Sequence, residues 1–252
     1  MELTKEQKTR YHRQMVLQEV GAQGQRKLLE GKVLIIGAGG LGSPVAMYLG
    51  AAGVGTIGIA DADEVDLSNL QRQIAHGTSD IGKPKVHSIK ETIQNINPEV
   101  AVHAYQTFVN DENIMELIAD YDFIVDATDN FPAKFLINDT CVLEKKPFCH
   151  AGILRFQGQL MTYLPGEGPC YRCVFRNPPP EHTVPNCKQA GVVGAVAGVV
   201  GSLQAMEAVK YLLGTGDLLV GKLLTYDALR MEFRIVKLPV HVPDCPVCGG
   251  AS

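Results

Sequence analysis

Short apolar runs alternate with helical patterns over the first 150 residues. Val33 to Ile36 is unbroken and β-branched at three of its four positions, the pattern of a strand buried on both faces of a parallel sheet. It runs into Gly37-Ala38-Gly39-Gly40-Leu41-Gly42. Ser43 to Ala52 then reads as a helix, with Pro44 tolerated in its first turn. Thr56 to Ala60 and Val100 to Ala104 predict further strands. Lys83-Pro84-Lys85 opens a helix to about Asn95, and Asp111 to Asp120 predicts another. Phe123 to Asn130 is a second buried strand ending in polar residues, followed by a helix over Pro132 to Glu144 and a short strand over Pro147 to His150. Ahead of all these, Thr4 to Val20 reads as one helix opened by the capping box Thr4-Lys5-Glu6-Gln7. Strands and helices in alternation predict an α/β fold with a doubly wound, Rossmann-like, mostly parallel sheet.

The pattern then changes. Ile153 to Leu164 alternates around Gly158 like an antiparallel hairpin. Asn177 to Pro185 holds four prolines among nine residues, which excludes regular structure and predicts an exposed loop. Gly191 to Leu213 reads as a helix with Gly191, Gly194, Gly198 and Gly201 in its first half. Glycine costs a helix roughly 1 kcal/mol each against alanine, so close packing on a neighbouring backbone is expected. Lys222 to Tyr226 and Glu232 to Lys237 predict late strands. The economical reading is one domain over 1–252: a helical arm (1–30), a doubly wound half (31–150) and an antiparallel extension (151–252).

Composition narrows the class. Of 252 residues, 46% are hydrophobic and 20% charged, with a net charge of −4 and a pI of about 6.0. That is ordinary globular usage and argues against a broad nucleic-acid footprint. The polar start MELTKEQKTR excludes a secretory signal. The best candidate membrane span, residues 190–213, is interrupted by Gln204, Glu207 and Lys210, so no membrane partner is expected. Seven cysteines without a signal argue for a reducing, cytoplasmic setting.

Candidate chemistry starts at the glycine turn, which matches G-x-G-x-x-G. Strand, turn and helix N-terminus make a phosphate cradle, because glycines admit close approach and unpaired N–H groups face the anion. Asp61 ends the next strand where an acidic side chain takes ribose hydroxyls. Such a fingerprint serves NAD or FAD in most proteins. Asn69, Arg72, Lys85 and Asp129 lie in segments leaving strand ends, and a triphosphate benefits from cations and a metal-holding carboxylate. Against this, most arginines and lysines are surface charges. At this level ATP and NAD both stay open.

The cysteines fall into groups. Cys170/Cys173 and Cys245/Cys248 form two C-x-x-C pairs, the ligand set of a closed tetrahedral four-cysteine zinc site that would pin the tail to the body. Cys141 and Cys149 sit in apolar surroundings and read as core residues. Cys187 follows the prolines, beside Lys188 and ahead of a helix start, features that lower a thiol's pKa; it is either a working thiol or a partly exposed bystander.

GAGGLGS, DADEVDLSNLQRQ, the Lys-Pro-Lys helix start, DATDN, CYRC, NCKQAGVVG, GSLQAMEAVK and CPVC, in this order, resemble the MoeB/ThiF family of E1-like enzymes, from Arg10-Tyr11-His12-Arg13-Gln14 to Cys248. The resemblance implies an ATP-dependent adenylyltransferase. Its substrate would be a ubiquitin-like sulfur-carrier protein, ThiS- or MoaD-like, activated at its C-terminal Gly-Gly for thiamine or molybdopterin synthesis. The region 31–150 then becomes the nucleotide-binding half and 151–252 the carrier-binding and zinc half. The resemblance implies that Gly39 and Gly40 contact ATP and that Asp61 takes the ribose. It places Asn69, Gln71, Arg72 and Lys85 around the phosphates, adds Asp63, Ser68 and Asn130 to the nucleotide contacts, and makes Asp129 the Mg2+ ligand. It further implies a homodimer, in which Arg13 reaches the partner's phosphates. Cys187 is expected to bond to the carrier's C-terminus after adenylation, and a cysteine desulfurase or rhodanese-like protein to donate sulfur. The competing readings are an NAD(P)- or FAD-dependent oxidoreductase and a non-catalytic, zinc-stabilised dimeric binding protein.

Overall fold

A computed structural model describes residues 2–180, 190–239 and 242–249. Its start obeys the capping box: Thr4 Oγ1 accepts the Gln7 N–H at 3.1 Å, and Gln7 Oε1 accepts the Thr4 N–H at 3.0 Å. The expected single helix over Thr4 to Val20 is corrected, however. Helix α1 (Lys5–Arg10) stops at Tyr11, α2 (His12–Met15) is one turn, and α3 (Gly21–Glu30) lies beyond the expected helix, within the helical arm expected over 1–30. Tyr11 causes the break. It is 1% exposed, its ring fills the space over Gly53, and its hydroxyl accepts from Asn97 Nδ2 at 2.8 Å. Chain direction here follows a tertiary anchor, which overrides local helix propensity.

The core elements then follow in alternation: β1 (Lys32–Ile36), α4 (Gly42–Ala52), β2 (Thr56–Ala60), α5 (Lys85–Ile96), β3 (Ala101–Tyr105), α6 (Ile114–Ala119), β4 (Phe123–Asp126), α7 (Phe131–Leu143) and β5 (Phe148–Leu154). The chain continues through β6 (Gln157–Tyr163), the short α8 (Tyr171–Val174), α9 (Gly194–Leu213), β7 (Lys222–Asp227) and β8 (Glu232–Lys237). Among the described residues, the eight strands join one sheet in the order β3-β2-β1-β4-β5-β6-β7-β8. Pairing is parallel from β3 to β5 and antiparallel from β5 onward, as the change of pattern in the sequence predicts. Between β1 and β4 the order reverses, and the crevice at their carboxyl ends is where such sheets bind ligands.

Alternate side chains of β1 serve two cores. Val33 and Ile35 pack with Val45, Leu49, Ile89 and Ala208 on one face. Leu34 and Ile36 pack with Ile118, Phe135, Ile137 and Tyr171 on the other. Helix α9 belongs to the first layer. It is long and apolar enough to cross a membrane by length and composition, yet two of its polar breaks, Gln204 and Glu207, are buried in the fold. Gln204 Nε2 donates to the Asp126 carbonyl at 2.8 Å, and Glu207 Oε2 accepts from Thr162 Oγ1 at 2.6 Å and from the Leu219 N–H at 2.8 Å.

Two details correct the sequence reading. The β5–β6 turn falls at Arg155 and Phe156, with Arg155 at φ +55°, and not around Gly158. Gly158 pairs with Ile153 inside the ladder, and its missing side chain makes room for Val200. The helix expected from Gly191 begins at Gly194. Close packing explains Gly194, which sits on the backbone of Gln71 and Arg72, and Gly201, but not Gly198, around which a methyl would meet nothing.

A methyl at Gly201 would lie 2.5 Å from Pro44 Cγ and 2.6 Å from the Leu41 carbonyl oxygen. Gly201→Ala is therefore expected to cost roughly 1–3 kcal/mol through overpacking of α9 on α4. Gly198→Ala should change stability by no more than about 1 kcal/mol. Urea unfolding of both variants checks the contrast; equal midpoints would refute the packing account.

Candidate functional site

At the carboxyl ends of β1, β2 and β4 the chain surrounds an open cleft of about 1090 Å3, which extends across β5, β6 and β7. The glycine turn forms its rim. Gly37 adopts φ +106°, and a side chain there would meet the Ala127 carbonyl oxygen at 2.6 Å. Both sides of the Ala38 residue are clamped. Its N–H donates to Asp61 Oδ2 at 2.7 Å, and its carbonyl lies 3.1 Å from His76 Nε2. Asp61 Oδ1 accepts the Asp63 N–H at 2.8 Å. Asp61 thus anchors the turn while each oxygen keeps a lone pair for a ligand hydroxyl. His76, missed in the sequence, is buried, and burial lowers its pKa. Its neutral ring donates from Nε2 to Ala38, which leaves Nδ1 to accept from Ser88 Oγ at 2.8 Å. A lone histidine at the end of the 63–76 stretch offers no periodic signal.

Of the expected phosphate contacts, Lys85 is the most telling. Its side chain is 6% exposed and its Nζ lies 2.7 Å from Asp63 Oδ2, so it is not a surface charge. Gly39, Gly40, Arg72, Asp129 and Asn130 also line the cleft. Arg72 Nη1 donates to the Ser68 carbonyl at 3.0 Å, which holds the side chain against its own loop. Asn130 Oδ1 caps α7 by accepting the Ala133 N–H at 2.9 Å. Asp129 stands exposed after β4.

Four expected residues are not brought to the cleft wall. Ser68 Oγ donates to Asp66 Oδ1 at 2.5 Å, and Asn69 Oδ1 accepts the Asp66 N–H at 3.2 Å, so both shape the 3-10 turn at Leu67–Asn69. Gln71 is exposed, with its backbone against Gly194. Arg13 is exposed on α2, next to Tyr11, which packs on Gly53 at the far end of α4. About 16 Å of helix separates that end from the glycine turn. Cys187 and Lys188 lie outside the described residues.

Beneath the cleft sits a charged network that the sequence did not disclose. Asp126, 1% exposed at the end of β4, lies 2.8 Å from His150 Nδ1 and 3.2 Å from Lys134 Nζ. Thr128 Oγ1 and the Thr128 N–H donate to its Oδ1 at 2.6 and 3.0 Å. Lys134 Nζ also donates to the Ala151 carbonyl at 2.7 Å. Burial opposes ionisation of Asp126, but Lys134 and His150 outweigh it and hold the carboxyl below its usual range. Burial, with Lys134 beside it, lowers His150 to about 4. His150 and Lys134 line the cleft floor with Tyr171, whose ring centroid is 4.4 Å from that of His150.

Tyr171 follows Cys170, and the four paired cysteines meet beside it. Cys173 and Cys248 sulfurs are 3.3 Å apart, Cys170 and Cys245 3.6 Å, and Cys170 and Cys173 3.9 Å. All four sulfurs lie within 4.8 Å of one another. Burial and the neighbouring sulfurs push Cys173 up to about 12. Burial opposes ionisation of Cys245 too, but the Cys248 and Val247 N–H groups bring it to about 7. Thiols crowded in this way suit a shared cation, which could occupy the cluster. Cys141 and Cys149 are buried core residues, and burial raises both thiols.

Comparison with known proteins places this geometry among relatives. The ThiF family matches residues 11–247. The sulfur carrier protein adenylyltransferase of Thermus thermophilus is 50% identical over 255 residues, covering 99% of this chain and 93% of that protein. The SAMP-activating enzyme E1 of Haloferax volcanii is 46% identical, covering 95% and 88%. The adenylyltransferase and sulfurtransferase MOCS3 of Culex quinquefasciatus is 47% identical over 95% of this chain, but the chain spans only 55% of that protein. Among solved structures, E. coli MccB with ATP superimposes at a TM-score of 0.83 with 26% identity, covering 95% of this chain and 73% of that one.

The buried network makes stability depend on pH. Folded His150 titrates near 4 against about 6.5 when unfolded, so between these values only the unfolded chain takes up its proton. Stability is expected to fall as pH drops through that window and to be level above it. A melting temperature unchanged between pH 7 and 5 would contradict this. Lys134→Ala, which strands the buried Asp126 charge, should cost about 3–5 kcal/mol, measured by urea unfolding at pH 7.

Proposed function

This chain belongs to the ThiF family, and from that membership we propose that it adenylylates the C-terminal glycine of a ubiquitin-like sulfur-carrier protein. The observation that carries the reading is Lys85, a buried cation placed in the cleft beside the glycine turn. Membership sets aside the oxidoreductase reading of the glycine fingerprint. The charged set lining the cleft also disfavours a non-catalytic binding protein.

In this reading ATP lies with its ribose at Asp61 and its phosphates between the glycine turn, Arg72 and Lys85. The carrier's terminal carboxylate attacks the α-phosphorus; a bond forms from carboxylate oxygen to phosphorus, the bridge to the β-phosphate breaks, and pyrophosphate leaves. A carboxylate is already ionised at neutral pH, so no general base is required. Arg72 and Lys85 offset the charge that develops during the transfer. The Asp129 carboxylate has no partner among the described residues and suits Mg2+, which when bound neutralises phosphate charge. Cys187 is assigned the following step, in which its thiolate attacks the acyl carbon, releases AMP and leaves a thioester. A desulfurase or rhodanese-like protein would then supply the sulfur.

Arg13 is exposed at the opposite end of α4 from its own cleft, which favours its acting in the cleft of a second copy in a homodimer. Exposed Val16 and Leu17 follow it. A separate apolar hollow of about 210 Å3 is formed by Pro44, Met47, Tyr48, Ala51, Ile74 and Ile96. Both are suited to a subunit contact.

The sulfur cluster is assigned to zinc. Bonds of about 2.3 Å in a tetrahedral site of four thiolates put sulfurs about 3.8 Å apart, near the spacings described above. The ion would supply folding energy there and take no part in the chemistry.

ATP–pyrophosphate exchange should require a carrier with a free Gly-Gly end, and Asp129→Ala should abolish it with folding intact. Wild-type exchange in that variant would remove Asp129 from the reaction. On non-reducing gels a carrier adduct should form with the unmodified enzyme and be absent from Cys187→Ala; an adduct that persists would clear this cysteine.

Elemental analysis of protein purified without chelators should find one zinc per chain. Cys245→Ser should release the metal and lower the melting temperature by several degrees. Absence of zinc from the unmodified protein would end the assignment.

A further inference from the structure

We propose that His150 reads the last peptide unit of the carrier tail, its Nε2 accepting the N–H of the terminal glycine and so seating the carboxylate for attack. This rests on the adenylation reading above and adds a contact to it.

The argument begins with the proton. Asp126 is ionised and can only accept, so the 2.8 Å contact is a donation from His150 Nδ1–H. In a neutral imidazole the other nitrogen is then a bare acceptor. Burial and Lys134 keep the ring neutral. Nε2 is buried and has no protein partner. A buried acceptor without a donor is unfavourable, and His150 is 1% exposed yet lines the cleft. Asp126 sets the rotation of the ring and the Tyr171 ring lies against it. The missing donor therefore belongs to a ligand.

Strand order says which ligand. Along the cleft lie Asp61 after β2, the glycine turn after β1, Asp129 after β4 and His150 on β5. Gln157 and Gln159 follow on β6, and Tyr226 on β7. Ribose hydroxyls held at Asp61 are three strand spacings from His150, about 14 Å. The phosphates of ATP offer acceptors only. The donor at β5 is thus on the second reactant, whose Gly-Gly end has no side chains and offers only backbone N–H groups. Such a contact also selects against a tail ending in a residue without an amide hydrogen.

The test uses two semisynthetic carriers, one with the ordinary Gly-Gly end and one with the last amide replaced by an ester, which removes the N–H without adding bulk. Each is assayed by ATP–pyrophosphate exchange with the unmodified enzyme and with His150→Asn. Asparagine keeps a side-chain N–H facing Asp126 and has no acceptor in the place of Nε2. The unmodified enzyme should show a KM for the ester carrier raised about tenfold, with kcat changed less. His150→Asn should take both carriers with similar KM. An unmodified enzyme that accepts the ester at unchanged KM overturns the assignment, whether or not the variant folds, and leaves water as the partner of Nε2. An equal penalty in both enzymes overturns it too, by placing the N–H contact elsewhere. Exchange with the amide carrier leaves the adenylation reading standing in either case; exchange with neither carrier ends both.

Discussion

One buried carboxylate ties the molecule together. Asp126 closes β4 at the point where the sheet changes order, and its partners come from three other places: Thr128 in the following loop, Lys134 on α7 and His150 on β5. Its backbone carbonyl takes Gln204 of α9 from the opposite layer. A charge this deep is tolerable only when every side of it is answered. The requirement therefore locks two strands, two helices and the loop bearing Asp129 into one geometry. The cleft floor is rigid because its electrostatics admit few alternatives.

Much of this was legible from short-range pattern. The apolar run Val33 to Ile36, the glycine turn and the capping box at Thr4 each declare themselves within ten residues. What escaped depends on contacts between distant positions. Nothing near Tyr11 says that the helix stops there; the stop comes from Asn97 and Gly53. Gly158 looks like a turn residue, yet the turn sits at Arg155, which takes a positive φ, while Gly158 yields its space to Val200. The two C-x-x-C pairs were legible because each is local. The Asp126–Lys134–His150 network was not, since its members lie 8 and 24 positions apart with no motif between them.

Lys85 and Arg72 show why charge type alone was not decisive. As sequence, both could be solvated. In the fold, Lys85 is enclosed and pairs with the exposed Asp63, while Arg72 leans on the carbonyl of Ser68. Burial separates a dedicated cation from an ordinary one, and burial is a property of the whole chain. His76 makes the same point from beneath, holding the glycine turn by a carbonyl that no local pattern marks.

The reversal of strand direction after β5 divides the cleft into two regions of different character. Parallel strands end together and leave helix N-termini and loop amides at one edge, which suits a nucleotide that is the same in every cell. Antiparallel β6, β7 and β8 present side chains along their length instead, including Gln157, Gln159 and Arg234. These can be exchanged without disturbing the ladder that carries them. A chain built this way can be retailored for a new protein client by altering the antiparallel wing alone, leaving its nucleotide chemistry untouched. Modularity here is a product of sheet direction, and it needs no second domain.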